Sequence, residues 1–172
     1  MKVIRTKFKD LIIFKSINFD DNRGYFREVF IEKLIKKKFK FTVVSKSKKN
    51  VLRGLHMQKK FPQGKYVSVV KGKILDVVVD CRVKMKTFGK HFKMIISEKN
   101  SKSIYVPPGF IHGFVGLEKE NIVLYSCTNY RNKGSELGVI WNDEDLNINW
   151  GVKKPILSTK DKNSMQFNKV KF

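Results

Sequence analysis

The chain has 172 residues, 41% of them hydrophobic, which suits a globular domain with its own core and excludes a disordered chain. Thirty-seven Lys and Arg against 15 Asp and Glu give a formal net charge of +22, an excess that draws phosphate-bearing partners. No apolar stretch is long enough to span a membrane, so no membrane partner is expected.

The first ten residues, Met1 to Asp10, carry charge and lack the apolar stretch of a signal peptide, so a cytoplasmic location is expected. A short helix is predicted from Ile31 to Lys38, with Ile31, Leu34 and Ile35 on one face. After it the dominant period is two. Strand-like runs recur at Lys65 to Val70, Ile74 to Asp80, Phe92 to Ile96, Ser103 to Val106 and Ile122 to Thr128. Lys71-Gly72 reads as a hairpin turn, and Phe88-Gly89 and Pro107-Pro108-Gly109 punctuate the later runs. Many short strands separated by turns predict an all-β sandwich or barrel. Beyond Asp161 the chain is polar and lysine-rich, and a loosely held tail is expected there. No repeat, linker or boundary divides residues 1–172, which read as a single domain.

Most of the positive charge is lysine scattered along the whole chain, such as Lys36 to Lys38, Lys46, Lys84, Lys99 and Lys153. A nucleic-acid binder more often gathers Arg and Lys on one face with aromatics interleaved. Scattered lysine reads as a solvated surface, and no specific nucleic-acid partner is expected. Cys81 and Cys127 lie inside apolar runs without metal-ligand spacing and read as buried thiols of a reducing compartment.

With only three histidines, each can be weighed. His91 alternates with Phe92, Met94 and Ile96 and is expected to face solvent, with no role. His112 closes Pro107-Pro108-Gly109-Phe110-Ile111-His112, a pattern similar to the second motif of cupin jelly rolls. The earlier motif offers only His56, and two histidines without a third nitrogen or a matching carboxylate make a poor zinc or iron site. A metal-free cupin is the better reading. By itself, His56 fits a core histidine bonded to backbone. With Arg53 three residues before it and Lys65 nine residues after, it also fits a general base beside an anionic substrate. Asp161 offers a carboxylate for the far ring nitrogen. Tyr125, in an apolar strand, is either a core tyrosine or an inward-pointing phenol.

Taken together, the motifs resemble the dTDP-4-dehydrorhamnose 3,5-epimerase family from about residue 3 to residue 161. The segments that carry the resemblance are Asp21 to Glu28, Val51 to His56, Gln63-Gly64-Lys65, Val77 to Arg82, and Thr87 to Lys90. They continue with Pro107 to Phe114, Leu124 to Tyr130, Trp141-Asn142-Asp143 and Leu157 to Asp161. The resemblance implies a metal-free cupin, a jelly-roll β-barrel with short helices, that inverts carbons 3 and 5 of dTDP-4-keto-6-deoxy-D-glucose. It implies His56 as general base paired with Asp161, Tyr125 as opposing proton donor, and Lys65 beside the ketone oxygen. It implies that Arg23, Phe26, Glu28, Ser45, Arg53, His112, Tyr130, Arg131, Glu136 and Lys160 hold the nucleotide, diphosphate or sugar. A homodimer whose partner completes the nucleotide site also follows from the resemblance, as does L-rhamnose synthesis for surface polysaccharide.

The residue types agree with that chemistry. A carbon beside a ketone loses its proton to a base, the enolate needs positive charge at its oxygen, and inversion needs an acid on the other face. No cofactor is expected, since neither a dinucleotide fingerprint nor a P-loop is present. Three departures from the family pattern stand out: Met57 after the motif histidine, Phe41-Thr42-Val43 for a polar pair, and Arg131 for a stacking tyrosine. They bear on which base and sugar are bound and on whether one or both carbons are inverted. Two alternatives therefore stand beside the double epimerase. One is a single-site epimerase on a related nucleotide sugar; the other is a non-catalytic sugar-nucleotide or nucleic-acid binding cupin.

Overall fold

Both sides of the central strands are apolar, and this decides the layering. In β8 (Lys73–Asp80), Ile74 and Val78 face one way while Val77 and Val79 face the other, and all four are buried. Such a strand needs cover on both faces. The computed structural model, which describes residues 1–172, supplies it with a second sheet on one side and the C-terminal segment on the other.

The strands in chain order are β1 (Lys2–Arg5), β2 (Ile12–Lys15), β3 (Phe19–Asp21), β4 (Gly24–Phe26), β5 (Phe41–Lys48) and β6 (Leu52–Gln58). There follow β7 (Lys65–Lys71), β8, β9 (His91–Ser97), β10 (Lys102–Val106), β11 (Phe110–Gly116), β12 (Glu120–Cys127) and β13 (Glu136–Gly138). Two short helices, α1 (Glu32–Ile35) and α2 (Thr159–Lys162), complete the list. A six-stranded sheet runs β1-β2-β10-β7-β12-β5 and a five-stranded sheet runs β13-β6-β11-β8-β9, with every ladder between these strands antiparallel. The two face each other as an all-β jelly roll, and β3 and β4 form a separate hairpin. The five strand runs read from the sequence are β7, β8, β9, β10 and β12.

Between the sheets lies a core that includes Val67, Val69, Val78, Ile104, Phe114 and Val123. A second core covers the outer face of the five-stranded sheet, where Leu52, Leu55, Val77 and Ile111 meet Val139, Leu146, Trp150, Phe167 and Val170. The tail therefore departs from expectation. The Phe167 amide donates to the Asp143 carboxylate at 2.7 Å, and Phe167 and Val170 are buried. A few apolar residues among the lysines suffice to seat it.

The predicted helix is also shorter than expected, a single turn that ends where Lys36 turns left-handed at φ 54°. The lysine run at 36–38 has no apolar residue to extend the packed stripe formed by Leu34 and Ile35. His91 differs as well: it is half-buried, while Phe92, Met94 and Ile96 pack inward as read.

Candidate active site

Ordinary strand alternation would put Arg53 and His56, three residues apart, on opposite faces of β6. They share a face because β6 carries one extra residue against β11. His112 pairs with His56 and Phe114 pairs with Arg53, so between these pairs one residue of β11, Gly113, opposes two of β6, Gly54 and Leu55. The bulge centres on Gly54, at φ 121°, where a Cβ would lie 2.6 Å from the Gly113 Cα. Only glycine fits that approach. As a result Arg53, His56, His112 and Phe114 all line one cavity of about 370 Å³ between the sheets.

The six-stranded sheet forms the facing wall. Lys65 on β7 is the register partner of Cys127 on β12, and Val43 on β5 is the partner of Tyr125. Lys65, Tyr125, Cys127, Phe41 and Val43 all line the cavity from this side. His56 and Tyr125 thus come from opposite sheets, with the cavity between them.

Asp161 arrives from far along the chain. Ser158 caps α2 by accepting from the Asp161 amide at 3.1 Å, which brings the carboxylate inward. Its Oδ1 lies 2.5 Å from His56 Nε2. Burial works against ionisation of Asp161, but the His56 hydrogen bond and charge and the Ser158 bond outweigh it and hold the carboxyl below its ordinary range. With Nε2 so engaged, Nδ1 is the ring nitrogen left for the cavity.

Burial pushes the Tyr125 phenol up, reinforced by Cys127, so it stays protonated at neutral pH. Burial also lowers the Lys65 amine from its ordinary value, and no carboxylate lies within salt-bridge distance of it. At the mouth Glu136 receives Arg131 Nε at 2.6 Å and also pairs with Lys160. Arg131, against the burial of the group and with help from Lys160, brings Glu136 down to about 2. Arg53 donates to the Ser47 hydroxyl and the Lys46 carbonyl, both at 3.0 Å, which fixes its guanidinium against β5. Such a site holds a base, an acid, an unpaired cation and a cationic rim. That set can move protons on a bound anionic ligand.

Of the residues singled out in the sequence, nine line this cavity: His56, Tyr125, Asp161, Lys65, Arg53, His112, Arg131, Glu136 and Lys160. Five do not. Arg23 and Phe26 are exposed around the β3–β4 hairpin, with Arg23 paired to Asp21 at 2.6 Å. Glu28 borders a small recess with Met1 and Ser16. The Ser45 hydroxyl is buried without a partner, outside the cavity lining. Tyr130 is exposed, its ring nearly parallel to Phe41 at 6.2 Å. The sequence reading passed over Asp76, fully buried, whose Oδ2 lies 2.7 Å from His112 Nε2. Its signal was available: a carboxylate standing alone inside the apolar run Ile74 to Val79.

The sequence profile described as dTDP-4-dehydrorhamnose 3,5-epimerase matches residues 5–169. A dTDP-4-dehydrorhamnose 3,5-epimerase of Shigella flexneri is 41% identical, over 97% of this chain and 96% of its own. The crystal structure of a dTDP-4-dehydrorhamnose 3,5-epimerase from Elizabethkingia anophelis superposes with a TM-score of 0.90 at 43% identity, covering 98% of this chain and 97% of the other. That of a dTDP-6-deoxy-D-glucose-3,5-epimerase from Legionella pneumophila, in complex with dTDP-4-keto-L-rhamnose, gives 0.94 at 36% identity, covering 99% and 94%.

Proposed function

This chain belongs to the dTDP-4-dehydrorhamnose 3,5-epimerase family, and we propose that it converts dTDP-4-keto-6-deoxy-D-glucose into dTDP-4-keto-L-rhamnose. The observation that carries the reading is the pairing of opposed groups: His56, backed by Asp161, on one sheet and Tyr125 on the other, with Lys65 lining the cavity from the strand next to that of Tyr125.

The steps follow from those groups. His56 Nδ1 takes the proton from carbon 3 or carbon 5, the electron pair of the broken C–H bond forms a double bond to carbon 4, and the carbonyl π pair moves onto the ketone oxygen. Lys65 offsets the charge that develops there. Tyr125 then gives its proton to the same carbon from the opposite face, which inverts it. The proton on His56 and the vacancy on Tyr125 are restored by exchange with solvent, and the second carbon is treated in the same way. The electrons return to the carbon skeleton, so the balance calls for no external oxidant or reductant.

Arg53, Arg131, Lys160 and Glu136 are proposed to hold the diphosphate and sugar at the mouth. Arg23, Phe26 and Glu28 lie apart from the cavity of their own chain, which supports a homodimer in which a second copy completes the nucleotide site. A cytoplasmic location and supply of L-rhamnose to cell-surface polysaccharide belong to the same proposal. A single-site epimerase is the second reading, favoured by Val43, Met57 and Arg131 along the cavity wall.

Proton NMR of the dTDP-keto sugar with the protein in deuterated water tests both. Double epimerisation places deuterium at positions 3 and 5 with inversion at each. Deuterium at one position alone establishes the second reading, and no exchange at all removes both.

A further inference from the structure

A second histidine–carboxylate pair stands at the cavity wall, with the histidine lining it and the carboxylate buried behind. His112 and His56 are register partners across β11 and β6, and each gives its Nε2 to a carboxylate, Asp76 and Asp161 respectively. Asp76 shares its face of β8 with Ile74 and Val78, inside the sandwich, and has no exposed surface. Its Oδ2 is committed to His112, while its Oδ1 is buried without any hydrogen-bond partner. A carboxylate in that position is destabilising unless a cation answers it.

Lys65, a cavity cation with no ion pair, is the candidate. The titratable and charged groups that share its cavity or act on its charge are Cys127 and Tyr125 on β12, Glu136 on β13, Arg53 and His56 on β6, His112 on β11, Asp76 on β8, Lys160 and Asp161 on α2, and Arg131. Burial pushes the Cys127 thiol up, so it carries no charge at neutral pH. Glu136 is engaged by Arg131 and Lys160, and Asp161 by His56. Among these carboxylates only Asp76 has a buried oxygen without a hydrogen-bond partner, and its charge joins that of Glu136 in favouring the ammonium form of Lys65 against the burial that disfavours it.

We infer that Asp76 is a positioning residue for the oxyanion end of the site: its carboxylate fixes the His112 ring and keeps the Lys65 ammonium charged, so that both groups meet the ketone oxygen. The inference rests on the proposed epimerisation. Asp76 touches no substrate atom and acts through Lys65 and His112.

Asp76→Asn, nearly the same shape without the charge, is the test. Loss of a nearby negative charge disfavours the ammonium form, so the Lys65 pKa falls and the alkaline limb of kcat moves to lower pH. A shift of about one unit is expected, with kcat on the alkaline limb down by up to about tenfold and KM within about threefold. A purely structural role would reduce the yield of active protein and leave the limb in place; an unmoved limb, or a change in KM alone, overturns the inference. Should the variant not fold, Lys65 is titrated in the wild-type protein by ¹³Cε NMR, assigned with Lys65→Arg. A Lys65 that is still cationic at pH 8 supports the assignment, and one neutral at pH 7 overturns it. That titration uses no substrate. Failure of wild-type turnover would therefore sink the epimerase reading and leave the Asp76 assignment to stand or fall separately.

Discussion

Two concavities of this molecule invite opposite conclusions. At one end of the strands, the turns that follow β5, β7, β9 and β11 enclose a recess of about 780 Å³ lined by Lys46, Lys48, Lys71, Lys73, Lys99 and Lys119. It is roughly twice the volume of the cavity around His56 and far more basic. Its charges nevertheless answer one another in the open: Glu120 pairs with Lys46 and Lys71, and Glu118 pairs with Lys73. No apolar residue lines it. In the smaller cavity Lys65 is half-buried without an ion pair, and behind the cavity wall one carboxylate oxygen of Asp76 has no partner. Volume and charge do not make a site here. A cation that its own chain leaves unpaired inside a cavity does, because a ligand can complete it.

If that contrast is right, the largest loss comes from His56→Ala. His56 is the proposed base, and the second carboxylate-bound histidine, His112, is assigned to the oxyanion end and not to the carbon, so turnover should fall on the order of 10²–10⁴-fold with the fold retained. Steady-state rates alongside circular dichroism check this, and retention of more than about a tenth of activity removes His56 from the mechanism.

Tyr125→Phe should sharpen the picture by splitting the reaction. Loss of a proton needs only the base and a stabilised enolate, whereas inversion also needs the opposing acid. The variant should wash deuterium into at least one position while making little inverted product, read by NMR in deuterated water. Equal loss of exchange and inversion, or loss of neither, withdraws Tyr125 as that acid.

The recess predicts the smallest effects. Lys71→Ala and Lys73→Ala remove exposed partners of Glu120 and Glu118 and should leave turnover within about twofold. DNA binding through this surface should be weak, indifferent to sequence and steeply salt-sensitive. Tight, sequence-selective binding at physiological salt would reverse the contrast and make the recess the functional site. Chelator treatment should leave turnover unchanged, since no three His, Cys, Asp or Glu side chains converge on a common point. A stoichiometric metal whose removal abolishes activity would overturn the metal-free reading.

Much of the fold could be read from periodicity. The turn at Lys71-Gly72 and the strand-like runs on either side of it placed β7 and β8, while the cover on both faces of Ile74 to Val79 came only with the structure. The same method extended α1 too far, because Ile31, Leu34 and Ile35 match a helical stripe that the lysines after Ile35 cannot continue. It missed β5, whose inward Phe41, Val43, Ser45 and Ser47 alternate with polar and apolar neighbours alike, so the period is blurred. It also took the tail for loose, since two buried side chains among many lysines barely register in composition.

Periodicity and residue type by themselves determined that this is an antiparallel β protein, with a histidine, a lysine and a tyrosine inside apolar strands and a carboxylate near the end. Those are properties of each segment alone, fixed by the alternation of a pleated strand. Only the tertiary structure decided which of these groups meet. The extra residue at Gly54 turns Arg53 and His56 to one side, the seating of α2 brings Asp161 to a ring 105 residues earlier, and the β8–β11 ladder sets Asp76 beside His112. A strand's sequence records which face each side chain takes. The partner across the gap is set by ladder register and sheet packing, which join residues far apart in the chain.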